Sequence, residues 1–265
     1  MITIVASDLD GTLLTPEHKL ADFTKKTLNK LHQQELTFIF ATGRHHIDVG
    51  NLRNEVGIPA YMITSNGARV HDENDQLIYS KNVPQTLIPQ VIDLLKNDDL
   101  LSIHIYSDDQ WFLNKEDEEL KEFHDNGFTY TLFDVENPPL ENIAKIFVTM
   151  PEHEYLVQYE NQLKEKFGDQ LMVAFSTPWC LEVMASEVSK GAALDAVAKL
   201  LGKTLENCIA FGDGMNDYEM LSMAGKGIVM GTSHEKVKKA LPNNEVIGSC
   251  ADEAVAHYLE NLLLK

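Results

Sequence analysis

The stretch that decides the fold is Ile2-Thr3-Ile4-Val5-Ala6-Ser7-Asp8-Leu9-Asp10-Gly11-Thr12. The run from Ile2 to Ser7 is short, apolar and β-branched, the pattern of a strand buried on both faces. Two aspartates arrive where the apolar run stops. A buried strand that delivers carboxylates at its C-terminal end predicts an open parallel sheet, in which ligands sit outside the carboxyl ends of the strands. Taken alone, Asp8-Leu9-Asp10-Gly11-Thr12 also fits a turn or a helix cap. A calcium loop is excluded, because Leu13 stands where that loop needs glycine and Lys19 where it needs glutamate.

Working outward, a helix follows with Leu20, Phe23, Leu28 and Leu31 near one face. Thr37–Ala41 is a second buried strand ending in Thr42-Gly43-Arg44, and Tyr61–Thr64 a third ending in Ser65-Asn66-Gly67. Alternating strands and helices with polar and glycine residues after each strand predict an α/β fold. The middle differs. Asp72–Asp75 reads as a hairpin turn, a helix follows Pro84, and Leu101–Tyr106 alternates as a half-exposed strand. Further strands at 111–113, 146–148 and 171–175 and a helix from Glu152 to Phe167 predict an α+β unit with one sheet face covered by helices. The parallel pattern resumes with a helix opened by Lys190-Gly191 and stopped at Gly202. Cys208–Phe211 is then a buried strand ending in Gly212-Asp213-Gly214, with strands at 227–230 and 246–247 beyond. The expected architecture is a Rossmann-like parallel core of residues 1–81 and 187–265, with residues 82–186 inserted as an α+β cap.

Composition narrows the function classes. With 22 basic and 41 acidic side chains the formal net charge is -19, which disfavours nucleic acid and anionic membranes as partners. No apolar run reaches the ~18 residues of a membrane span. The opening residues lack the basic flank of a signal peptide, so a cytoplasmic location is expected. Three scattered cysteines do not make a disulfide framework or a thiolate metal site, and Cys208 reads as core.

Four strand and helix ends supply one set of groups: Asp8 and Asp10; Thr42, Gly43 and Arg44; Lys190; and Asp213, Asn216 and Asp217. Bringing the four aspartates together costs about 4 kcal/mol per close pair at an effective dielectric of ~20, so the cluster calls for a cation. All are hard oxygen donors, which favours magnesium (Mg²⁺) over zinc. Such a centre suits phosphoryl transfer, which needs mainly positioning and charge neutralisation. A carboxylate is already ionised at pH 7 and needs no helper base as nucleophile. Thr42 and the Gly43 amide are placed to hold phosphate oxygens, and Lys190 adds charge at a helix N-terminus. A lysine there also fits an ordinary surface position.

Asp8-Leu9-Asp10-Gly11-Thr12, Thr42-Gly43, Lys190, and Gly212-Asp213 with Asn216-Asp217 resemble, in order, the four motifs of the haloacid dehalogenase (HAD) superfamily. The insert between the second and third motifs is similar to that of the Cof-type subgroup. The runs Phe40–His46 and Ser65–Asp72 resemble the bacterial YigL-type phosphatases, which act on sugar phosphates and pyridoxal phosphate. The resemblance implies a Mg²⁺-dependent phosphatase of small phosphorylated metabolites. It makes Asp8 the nucleophile and a metal ligand, and Asp10 the general acid/base, lending its carbonyl to the metal. It makes Asp213 the third ligand, with Asp217 acting through water. It assigns phosphate binding to Leu9 (by its amide), Thr42, Gly43, Lys190 and Asn216. Arg44, His45, His46, Asn66 and Trp179 are candidates to face the leaving group, although His45 equally fits a helix cap and Trp179 packing. Two rivals remain: a phosphomutase, whose small cap has no room between the first two motifs, and a non-catalytic phosphometabolite sensor, expected to lack Asp8, Asp10 or Lys190.

Overall fold

In the computed structural model, which describes residues 1–118, 120 and 128–263, the opening apolar run forms β1 (Ile4–Ser7), buried throughout. It is followed by α1 (Asp22–Gln33), β2 (Thr37–Ala41), α2 (His46–Val56), β3 (Ala60–Thr64) and the hairpin β4 (Arg69–His71) and β5 (Leu77–Ser80). Helix α1 starts later than the apolar spacing suggested. Leu20 is buried from the preceding loop, and the helix turns Thr24, Thr27, Leu28 and Leu31 inward.

By its contacts the chain divides into two compact units, Met1–Tyr79 with Ser189–Lys265, and Ser80–Val188. The second holds α3 (Ile88–Leu95), β6 (Ser102–Tyr106), β7 (Trp111–Leu113), β8 (Tyr130–Leu132), β9 (Lys145–Thr149), α4 (His153–Phe167), β10 (Leu171–Thr177) and β11 (Cys180–Ala185). Its sheet runs β10-β11-β9-β6-β7-β8. The helices pack Val91, Leu95, Leu156 and Leu163 against Ile103, Ile105, Val148 and Leu181.

The half-exposed strand expected at Leu101–Tyr106 is corrected here: Ile103, His104 and Ile105 are all buried. Strand β6 is internal, and the face opposite the helices is closed by aromatic side chains. His104 stacks on Phe147 at 4.4 Å and accepts a hydrogen bond from Trp111 Nε1 at 3.1 Å through Nδ1. Beside it the buried pair Lys145–Glu182 closes at 2.6 Å, with the Lys145 ammonium 4.6 Å from the Phe147 ring centroid. An alternating His signals water to a reader of sequence, but here burial, helped by Lys145 and Lys115, pushes its pKa down to about 3 and keeps it neutral.

The chain then returns to the first unit as α5 (Lys190–Leu200), β12 (Cys208–Gly212), α6 (Tyr218–Met223), β13 (Lys226–Val229), α7 (Glu235–Ala240), β14 (Glu245–Val246) and α8 (Ala254–Leu263). The sheet order is β14-β13-β12-β1-β2-β3-β4-β5. Strand β1 lies between β12 and β2, parallel to both. Its side chains alternate between two layers. Val5 joins Leu28, Phe38, Phe211 and Leu259 on one face, while Ile4 and Ala6 join Leu194, Val197 and Met220 on the other. This three-layer packing buries β1 completely and places the C-terminal ends of β1, β2, β3 and β12 along one edge. Among the described residues no helix is long and apolar enough to cross a membrane.

Candidate active site

The loop after β1 is tied to β12 at once, because the Asp8 amide donates to the Phe211 carbonyl at 3.0 Å. From the opposite side comes Lys190, the first residue of α5, behind the N-cap Ser189, whose hydroxyl accepts from the Ala192 amide at 3.0 Å. The fully buried Lys190 Nζ donates to Asp8 Oδ1 and to Asp217 Oδ1, each at 2.6 Å. The second oxygen of Asp217 accepts from the amides of Asp213 (3.0 Å) and Gly214 (2.9 Å), so this side chain organises the loop after β12. The Thr12 hydroxyl donates to Asp213 Oδ1 at 2.9 Å. A Cβ on Gly11 would fall 2.5 Å from Asp213 Oδ2, so the two loops close only around a glycine. Ligand atoms of Asp8, Asp213 and Asp217 all lie within 4.8 Å of one another.

The remaining expected residues of this unit gather in two places. The Asn216 amide donates to Asn66 Oδ1 at 3.1 Å, and a Cβ on Gly43 would lie 3.0 Å from that same oxygen. The loops after β2, β3 and β12 are thus in contact. Thr42 accepts the Arg44 amide on its hydroxyl oxygen at 3.2 Å, which leaves its own proton to donate. Arg44 turns to carboxylates instead: Nε and Nη2 bind Asp10 at 2.7 and 2.5 Å, and Nη1 binds Asp48 at 3.1 Å. His45 is buried and caps α2, its Nδ1 accepting from the Ile47 amide at 3.3 Å, as the capping alternative expects. The His46 ring stacks on His71 at 4.1 Å. Leu9 is buried, its carbonyl accepting the Leu14 amide at 2.9 Å. Trp179 belongs to the other unit, half-exposed between β10 and β11, where it lines a hollow of about 390 Å³ with Ser102, Asp117 and Thr149.

Sequence reasoning missed Thr12, Ser189 and His18, whose Nδ1 lies 2.8 Å from Asp10 Oδ1. Ser189 carried a legible signal as a cap residue before an apolar helix. His18 carried none.

The electrostatics sharpen the case for a cation. Burial, with the Asp217 and Asp213 charges, pushes the Asp8 carboxyl well above the usual carboxylate range, with Lys190 opposing. Burial and Asp217 push Asp213 up to about 6, with Thr12 and Lys190 opposing. Burial works against the Lys190 ammonium, but Asp217 and Asp8 outweigh it and hold Lys190 above its ordinary value. Asp10 behaves oppositely: burial raises it, yet the Arg44 guanidinium and His18 prevail and hold it below the usual range. Burial pushes the Cys208 thiol up to about 11 and, with Glu182, the Cys180 thiol up to about 12, so neither is a thiolate at pH 7.

When all three are ionised, the carboxylates of Asp8, Asp213 and Asp217 against the one Lys190 ammonium leave two negative charges, and the donors are all hard oxygens. That set fits a divalent cation such as Mg²⁺.

Against known families, the haloacid dehalogenase-like hydrolase pattern matches residues 5–259. The chain is a haloacid dehalogenase-like hydrolase. It is 43% identical over 257 residues to a protein of Haemophilus influenzae, covering 96% of this chain and 94% of that one. It is 39% identical over 268 residues to the HMP-PP phosphatase of Cronobacter sakazakii, covering 99% and 96%. Among solved structures, a subclass IIB sugar phosphatase of the HAD superfamily aligns with a TM-score of 0.83 at 22% identity over 98% of both chains, a likeness of fold. Membership makes the chain an enzyme of the hydrolase class, and the Cronobacter relative is named as a phosphatase.

Proposed function

We propose that this hydrolase is a Mg²⁺-dependent phosphatase of compact phosphorylated metabolites, working through a phospho-aspartate on Asp8. The observation that carries the proposal is the Asp8 carboxylate at the end of β1, held by Lys190 beside Asp213 and Asp217. Asp8, Asp213 and the Asp10 carbonyl would hold the metal, with Asp217 acting indirectly because its oxygens already bind Lys190 and the 213–214 amides. A bound Mg²⁺ supplies charge that offsets the carboxylates and a substrate oxygen.

In the first step an oxygen of Asp8 attacks phosphorus, the bond from phosphorus to the ester oxygen breaks, and the leaving oxygen takes a proton from Asp10. In the second, Asp10 takes a proton from water and the water oxygen attacks the same phosphorus. The bond to Asp8 breaks, which returns the carboxylate and releases inorganic phosphate. The Leu9 amide, Thr42, Gly43, Lys190 and Asn216 serve to hold the phosphoryl oxygens.

The substrate class follows from the relatives and the resemblance together: HMP-PP, sugar phosphates and pyridoxal phosphate are the candidates. A phosphate-release screen over these and nucleotides, with and without Mg²⁺, ranks them. The mechanism is tested with Asp8→Asn, which removes the nucleophile and a metal ligand. This variant is expected to fold and to lose at least about a thousandfold in kcat. Substantial turnover, or labelled phosphoprotein formed by the variant, overturns the role of Asp8.

A further inference from the structure

The Asp10 carboxylate is gripped from two sides by residues that no motif names. Arg44 approaches as a fork, Nε to Oδ2 at 2.7 Å and Nη2 to Oδ1 at 2.5 Å. The fork is anchored in turn, since Nη1 binds Asp48 in the first turn of α2 at 3.1 Å. From the other side His18 Nδ1 meets Oδ1 at 2.8 Å. A tight loop presents that ring: the Thr15 amide donates to the Lys19 carbonyl, the His18 amide donates to the Thr15 carbonyl, and His18 itself adopts φ +57.

A carboxylate offers about four acceptor positions, two on each oxygen. Arg44 and His18 fill both positions on Oδ1, and Arg44 fills one on Oδ2. One position on Oδ2 is left for chemistry. We propose that Arg44 and His18 are positioning residues that fix the Asp10 side chain and present a single face of Oδ2 to the leaving-group oxygen. The inference rests on the reading of Asp10 as general acid/base. It moves Arg44 from the substrate's binding contacts to the support of Asp10, and it gives His18 a function. An Asp side chain has two rotatable bonds, and proton transfer demands alignment within hydrogen-bond reach, so an unsupported Asp10 would spend little time aligned.

The experiment uses the full chain with Mg²⁺ and compares kcat/KM, which reports the first chemical step, for two substrates. One is p-nitrophenyl phosphate, whose leaving group needs little protonation. The other is the best alkyl phosphate from the screen above, whose alkoxide needs it. Arg44→Ala is expected to lower the alkyl value by about a hundredfold and the aryl value by less than about threefold, at pH 5 as at pH 7, because the loss follows the alignment of Asp10 and not the ease of protonating it, which the Arg44 charge opposes. The inhibition constant for inorganic phosphate should stay within about twofold, because phosphate binding is not touched. Arg44→Lys should restore only part of the alkyl rate, since an ammonium cannot form the fork. His18→Ala, at a side chain 59% exposed and so safe for folding, should show the same split in smaller measure. Equal losses on both esters, or weaker phosphate inhibition, overturn the inference by placing Arg44 on the phosphate. Asp10→Asn separates the two layers. If it shows the leaving-group split and Arg44→Ala and His18→Ala do not, the support role alone falls; if it shows no split, the acid/base reading of Asp10 falls as well.

Discussion

Asp8 and Asp213 are carboxyls pushed up in the folded chain, and that direction fixes how acidity and metal act on stability. A carboxyl whose folded pKa exceeds its unfolded one binds its proton more tightly when folded. Its stabilising share is therefore full at acid pH and is lost as pH rises, for Asp213 between the ordinary 3.8 and about 6. Magnesium needs the ionised form, so its stabilisation must grow through the same window. We expect saturating Mg²⁺ to raise Tm by about 5–10 °C at pH 8, and by much less at pH 5. Equal shifts at the two pH values would contradict the assignment of these carboxylates, and Asp213→Asn should abolish the shift at pH 8. The sequence made the convergence of Asp8, Lys190, Asp213 and Asp217 legible, because each follows or opens an unmistakable apolar element. It was silent on His18, since a loop that folds back to its neighbour's carboxylate leaves no periodic trace.

At the scale of elements, the turn Ser65-Asn66-Gly67 takes three successive left-handed conformations, φ +47, +55 and +103. A Cβ on Gly67 would lie 2.2 Å from the Ser189 carbonyl oxygen, the backbone that starts α5 and sets Lys190. Gly67→Ala therefore combines backbone strain with a clash that no flexible side chain can relieve. It should destabilise the first unit by about 2–4 kcal/mol in urea unfolding. Because the shift bears on Lys190, kcat should fall even where the protein stays folded; unchanged stability would show that α5 does not depend on this contact. The parallel strands were legible from their unbroken apolar runs and the polar residues that end them. The sheet of the second unit was not, because His104, Lys145 and Glu182 are polar letters at positions that aromatic packing and a 2.6 Å ion pair bury.

At the scale of the whole molecule, a formal net charge of -19 sets a field that small substrates and long polyanions feel differently. A single phosphate needs only the local attraction of Lys190 and a bound cation. An oligonucleotide 5′-phosphate brings many charges within a Debye length of ~10 Å at 0.1 M salt. Its kcat/KM is expected to lie orders of magnitude below that of a hexose phosphate, and to rise with added NaCl while the small substrate's does not. Efficiency on the oligonucleotide that is independent of salt would remove charge as the discriminator.

The arrangement of strands also bears on how the protein is made. Strand β1 pairs with β12, Ile4 with Cys208 through Ser7 with Phe211, so the centre of the larger sheet joins segments that lie before and after the Ser80–Val188 unit in the chain. The Ser80–Val188 unit is continuous in sequence and has every one of its own strands available once Val188 has left the ribosome. Folding during synthesis proceeds by units as they emerge. The inserted part is therefore complete while β1, with β2 on one side, still lacks its other neighbour, and the nascent chain must shelter that open edge until β12 is made.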